Sequence, residues 1–353
     1  MERPPSALVP FFRTQAAVAR SNGSPIYGEL LARMADDLLA DGPTARVVAD
    51  FIGHPALDNL PLRLLGAAHA EVLAGRAPEL AGYYPSAGGR FEPEGAWRAL
   101  RTLLDTRADV LRPRLAEPLQ TNEVRRCCAL LGGFLEVAAR HGLPLRALEI
   151  GSSAGLNLRF DRYAYALGPH AYGSPDALLR LDCEWTGPPP ALDAPLRVVE
   201  RAGCDLRPID PGDAQQRLRL ASFVWPDQLE RLERLRLALR AAAGVPVPLE
   251  RQRAADFLAK ALARPAGGRA TVVFQSVVWW YLSEAERQEV TALVEEAGAR
   301  ADRAAPLAWL RMEGASAEGT ELRLRSWPSG EDCLLGRAHW HGAWVTWEAG
   351  GGR

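Results

Sequence analysis

The chain has 353 residues, and its 48% hydrophobic content supplies enough apolar material for one large or two ordinary domains with packed cores. A formal net charge of −1 argues against broad nucleic-acid affinity, which needs a basic surface, and Lys260 is the single lysine among 42 basic residues, a bias read as codon usage rather than anion binding. Cys127, Cys128, Cys183, Cys204 and Cys333 are odd in number and lack a CxxC spacing, which suggests neither a disulfide framework nor a zinc ribbon and fits a reducing compartment. No run approaches the roughly 18 to 20 apolar residues that span a bilayer, and the N-terminal segment lacks the apolar core of a signal peptide. A cytoplasmic protein without a membrane partner is expected.

In chain order, residues 1–142 read as an α-helical lobe punctuated by Pro and Gly. Ser24-Pro25 is predicted to cap a helix that Asp41-Gly42 ends. Further helices are expected over 62–74, 94–111 and 121–141. From 145 the texture alternates between apolar runs and amphipathic stretches, the pattern of an α/β domain with a mainly parallel sheet, assigned to 143–353. Strands are predicted at 145–150, 197–203, 245–250, 270–277 and 306–312. Two further strands, at 321–327 and 333–347, are expected to pair antiparallel around Pro328-Ser329-Gly330. Residues 167–196 are read as a long connection or insertion. His339 and His341 are placed at alternate positions on a strand, but a third ligand at matching spacing is missing, so no metal is expected.

The most informative stretch is Leu145 to Asn157. An apolar strand carries Glu149 near its end, then Gly151 and Gly155 bracket Ser152, Ser153 and Ala154, and a helix is predicted from Asn157. Such a turn lets a ligand approach the backbone. The dinucleotide fingerprint GxGxxG fails at Ser153 and Leu156. Gly151-Ser152-Ser153-Ala154-Gly155 does fit GxSxG, which would make Ser153 a hydrolase nucleophile with Asp302 and His341 following in the right order. The same letters resemble the first motif of class I S-adenosylmethionine methyltransferases, with Ser153 in place of the middle glycine.

That resemblance implies a Rossmann-like methyltransferase sheet after the helical lobe and S-adenosylmethionine as cofactor. Glu149, Gly151, Ser153, Gly155, Asn157 and Gln275 would then line the cofactor site. Asp205, after the second strand, would hold the ribose, and Asp256 with Phe257 would meet the adenine. Asp205 and Asp256 are also readable as a turn residue and a helix cap. Trp279 and Trp280 after the fourth strand, with Tyr84, Gln120 and Asn122 from the helical lobe, are the candidates for the side of a small-molecule acceptor. A methyltransferase-like binding protein without transfer activity is the third reading.

Across nearly its whole length, in SPIYGELL, LRLLGAAH, YYPSAGG, LQTNEVRR, LEIGSSAGLNLRFDRY, GCDLRPID, FVWPDQLERL and PLAWLRME, the chain also resembles the bacterial family known as domain of unknown function 2332. The resemblance implies a Rossmann-like methyltransferase fold and brings no activity with it.

Overall fold

The computed structural model describes residues 5–51, 59–316 and 319–348. The chain separates into two compact units, Met1–Thr121 with Gly212–Arg236, and Asn122–Pro211 with Leu237–Arg353.

The first unit is helical, with helices at Val9–Ser21, Pro25–Leu39, Pro43–Val48, Leu60–Leu73, Pro78–Ala81, Pro93–Thr106, Ala108–Leu115 and Ala214–Ser222. Ser24 caps its helix as expected, its hydroxyl accepting the Tyr27 N–H at 3.3 Å. Phe12, Leu30, Leu31, Leu64, Leu65, Leu100 and Leu104 form a fully buried core. Glu71 is buried beside three arginines, Arg76 at 2.7 Å, Arg114 at 3.0 Å and Arg107 at 3.1 Å. Those contacts satisfy a carboxylate that would otherwise be too costly to bury.

This division differs from a boundary at residue 142. Helix Cys127–His141 belongs to the second unit, because it is apolar on nearly all sides and packs on the sheet. Gly133 lies against Leu310, while Phe134 stacks on Phe160 at 3.7 Å and meets Phe274 edge-on at 5.1 Å. Residues 212–236 join the helical unit instead.

Among the described residues the second unit carries eleven strands: β1 Leu145–Ile150, β2 Ala164–Leu167, β3 His170–Tyr172, β4 Arg180–Thr186, β5 Val198–Asp205, β6 Leu249–Arg251, β7 Ala270–Ser276, β8 Leu307–Ser316, β9 Gly319–Trp327, β10 Glu331–Ala338 and β11 Trp344–Trp347. They form one sheet in the order β3-β2-β4-β11-β10-β9-β8-β7-β1-β5-β6. The run β6-β5-β1-β7-β8 is parallel, whereas β8, β9, β10 and β11 follow one another antiparallel. The fold is therefore mixed α/β, a helical region followed by a mostly parallel sheet with antiparallel C-terminal strands. All seven residues of β7 are buried, as expected for a strand covered on both faces.

Two expectations need correction. No α-helix follows the glycine turn: Asn157–Arg162 is a short 3-10 segment with non-helical dihedrals at Arg159, and the chain then enters β2. The apolar residues there include Phe160, Tyr163 and Tyr165, whose bulk suits strand and core packing better than a regular amphipathic helix. Residues 167–196 are no plain connection, since β3 and β4 lie within them and extend the sheet beyond β11. The alternation of buried Leu181, Cys183 and Trp185 with exposed neighbours is a period-2 signal that was legible in the sequence.

Candidate functional site

Within the parallel run, β5 and β6 lie on one side of β1 and the chain then crosses to β7 on the other, so the carboxyl ends of β1 and β7 flank a topological switch point. Open parallel sheets bind ligands in the crevice outside such a point. Two loops meet there, Gly151–Gly155 after β1 and Val277–Tyr281 after β7. A Cβ on Gly151, whose φ is 68°, would overlap the Val278 side chain. Glycine is required there both for conformation and for the close approach of the other loop.

Each loop holds a non-glycine residue in the left-handed region, Ser153 at φ 51° and Val277 at φ 58°. Conformations of this kind cost about 1–3 kcal/mol and persist only when surrounding bonds impose them. An acid from the neighbouring strand does so in both cases. Asp205, at the end of β5, accepts the Ser153 N–H at 2.9 Å through Oδ2 and the Arg207 N–H at 2.8 Å through Oδ1. Glu313 on β8 accepts the N–H groups of Val278 at 3.1 Å and Trp279 at 3.2 Å. Burial pushes the Glu313 carboxyl up to about 7, against those two stabilising bonds.

Further contacts fix the first turn. The Asn122 side-chain oxygen accepts the Leu156 N–H at 3.0 Å. Buried Arg159 donates to the carbonyls of Gly155 at 2.7 Å, Ala154 at 3.3 Å and Val245 at 2.9 Å. Sequence reasoning did not single out Arg159, and one arginine among so many carries no distinguishing signal.

Beneath the turn lies a buried polar cluster. Asn157 donates to Glu149 Oε1 and to the Ser276 hydroxyl, both at 3.4 Å, while the Cys127 thiol donates to Asn157 Oδ1 at 3.4 Å. Burial, with the charge of Asp205 adding to it, holds the Glu149 carboxyl well above the usual carboxylate range. Glu149 Oε2 and Ser153 Oγ are buried and have no hydrogen-bond partner in the protein.

Glu149, Gly151, Ser153, Gly155, Asn157 and Asp205 are thus brought together. Gln275 is not on their side. Glu149 is in register with Phe274, so Gln275, one residue on, faces the opposite side of the sheet and accepts the Trp309 indole N–H at 2.9 Å. Phe257 is buried in the core on that side with Leu148, Val273 and Trp309. Asp256 is exposed, 3.7 Å from Arg253. These placements do not present Asp256 and Phe257 together to a ring.

Trp279 meets Trp309 edge-on at 5.8 Å, and exposed Trp280 stacks on Trp340 at 5.1 Å. Tyr84 and Gln120 belong to the helical unit. Asp302 accepts the N–H groups of Ala304 and Ala305, just before β8 begins. Because β8 and β1 run parallel, Asp302 and Ser153 lie at opposite ends of the sheet, about 20 Å apart for a six-residue strand. His339 and His341 sit in the connection between β10 and β11 rather than on a strand, with their rings 5.6 Å apart. Among the described residues no group of three His, Cys, Asp or Glu is arranged to hold a metal ion, and no helix is long and apolar enough to cross a membrane.

Asp205 is half-buried at the end of β5 with one backbone donor on each carboxylate oxygen, while Ser153 Oγ and Glu149 Oε2 are buried without a hydrogen-bond partner in the protein.

A family model described as an uncharacterized protein conserved in bacteria (DUF2332) matches residues 10–347. No curated protein and no solved structure matches the chain.

Proposed function

The chain belongs to this uncharacterised bacterial family, and from its own residues we propose that the carboxyl edge of the parallel core binds S-adenosylmethionine for methyl transfer to a small molecule. The observation that carries the reading is the Asp205–Ser153 bond, which lays the acid of the second parallel strand against the glycine turn that follows the first.

When bound, S-adenosylmethionine supplies an electrophilic methyl group. Asp205 would hold the ribose hydroxyls, with its two oxygens already taking the N–H groups of Ser153 and Arg207. Ser153 Oγ and the Glu149 carboxyl, which burial holds above the usual carboxylate range, lie at the floor of the turn. Glu313, poised near neutrality, would be the group to hold a proton lost by the acceptor. The stacked Trp280 and Trp340 offer a flat surface for that acceptor. Rate would come mainly from holding donor and acceptor in line.

Calorimetry of the full-length protein against S-adenosylhomocysteine tests this. Micromolar binding that Asp205→Ala weakens supports the reading. The absence of binding favours the non-catalytic alternative, which draws support from the Val278 side chain lying over Gly151 where a cofactor would otherwise approach. The hydrolase reading based on Ser153 loses support, because Ser153 Oγ has no base bonded to it and Asp302 is at the far end of the sheet.

A further inference from the structure

Within the helical unit, three segments distant in sequence converge on one imidazole. His69, on helix Leu60–Leu73, is fully buried. Its Nδ1 lies 3.1 Å from the carbonyl oxygen of Ser222, the last residue of helix Ala214–Ser222, and its Nε2 lies 2.8 Å from the Ser86 hydroxyl. A carbonyl can only accept, so Nδ1 carries the hydrogen. Neutral imidazole then has its lone pair on Nε2, and the Ser86 O–H donates to it. The carbonyl at a helix C-terminus has no partner within its own helix and sits at the negative end of the helix dipole, so it both fixes this tautomer and favours an imidazolium.

Ser86 itself is half-buried, and its N–H is fixed by the Pro226 carbonyl at 2.9 Å. Tyr84 meets the His69 ring edge-on at 5.5 Å, and its buried phenolic hydroxyl has no hydrogen-bond partner. A nucleophile bonded to a base, and that base bonded to an orienting acceptor, is the arrangement that activates a serine.

We infer that Ser86 and His69 form a second active site, an esterase-type dyad oriented by the Ser222 carbonyl, acting on short-chain carboxylic esters. Ser86 Oγ attacks the ester carbonyl carbon, a C–O bond forms, and the serine proton passes to His69 Nε2. Collapse breaks the bond to the leaving alkoxide, which takes that proton from His69 and departs as alcohol. Water repeats the sequence on the acyl-serine, releasing the carboxylic acid and restoring the Ser86 hydroxyl. Tyr84 supplies a free O–H in the same cluster for the oxygen that gains negative charge.

The test uses full-length protein, a fluorophosphonate probe with the labelled peptide mapped by mass spectrometry, and p-nitrophenyl acetate hydrolysis between pH 4 and 8. The expected result is labelling of Ser86, lost in Ser86→Ala and His69→Gln, with hydrolysis falling by about 10²- to 10⁴-fold in both. Ser153→Ala should keep both label and turnover. Burial lowers His69 to about 4, with the charge of Arg236 acting in the same direction against its bonds to Ser222 and Val224, so the rate should stay flat to pH 5 and fall only near 4. A histidine that merely ties the segments together would give no such limb. An unlabelled Ser86, or hydrolysis unchanged in Ser86→Ala, overturns the proposal. If His69→Gln fails to fold by circular dichroism, Ser86→Ala decides alone. S-adenosylhomocysteine binding should be unchanged in Ser86→Ala, so failure here leaves the methyltransferase reading standing.

Discussion

The Asp205 carboxylate accepts the backbone N–H of Ser153 at 2.9 Å, tying the end of β5 to the turn that leaves β1. The same carboxylate takes the Arg207 N–H, so it shapes the turn before any ligand arrives. A residue read from sequence as a ribose partner therefore has a structural duty of its own.

That duty, together with the proposed ribose contact, makes the outcome for Asp205→Ala specific. Loss of bonds to a charged acceptor costs about 1.5–3 kcal/mol each where they are well formed, discounted here for partial exposure. Melting should fall by several degrees, and S-adenosylhomocysteine affinity by roughly tenfold to a few hundredfold. Asp205→Asn, which keeps one acceptor oxygen, should lie between. Thermal melts with calorimetry check this, and a variant that binds as tightly as wild type removes Asp205 from the cofactor site.

Gly151→Ala should destabilise by about 2–4 kcal/mol, combining the penalty of a left-handed alanine with overpacking against Val278. Adding Val278→Ala should recover the packing share alone. Strict additivity of the two changes in a denaturant double-mutant cycle would show that the loops do not press on each other.

Ser153→Gly should leave the melting temperature unchanged or raise it by up to a few degrees. The substitution relieves a φ of 51° and removes a hydroxyl with no protein partner, against the added freedom of glycine in the unfolded chain. S-adenosylhomocysteine binding should persist. A melting temperature lower by five degrees or more would mean that the hydroxyl holds the turn.

The Glu313 carboxyl is raised to about 7 by burial, from an unfolded value near 4.5. A raised acid is protonated in both states below pH 4.5, and its folded form resists ionising above that. Stability therefore falls as pH rises from about 4.5 to 7, by on the order of 3 kcal/mol at most, then levels off. Urea titrations at pH 4.5, 6 and 7.5 should show this slope, and Glu313→Gln should flatten it.

The sequence by itself determined the features that depend on local chemistry. Glycine and small residues between Ile150 and Asn157 demanded a tight turn, and Ser24 followed by Pro25 marked a helix start. The apolar runs of β1, β7 and the first part of β8 marked buried strands, with Pro328-Ser329-Gly330 as the turn between β9 and β10. The path of the chain after the glycine turn was decided by tertiary structure. Phe160 stacks on Phe134, and β2 finds a parallel partner in β4, so packing overrode a helical reading of the same apolar letters. The assignment of helix Cys127–His141 to the sheet unit likewise rests on what covers its apolar sides. Gln275 and Glu149 share an apolar-run signature, yet strand register sends them to opposite faces. Asp302 and Ser153 stand in a plausible chain order, but parallel strands carry them to opposite ends of the sheet. His69 and Ser86 gave no joint signal, because 16 intervening residues and the distant carbonyl of Ser222 meet only through folding. Spacing along a chain fixes neighbours on one element, whereas contact between elements is set by register and packing, which no single segment encodes.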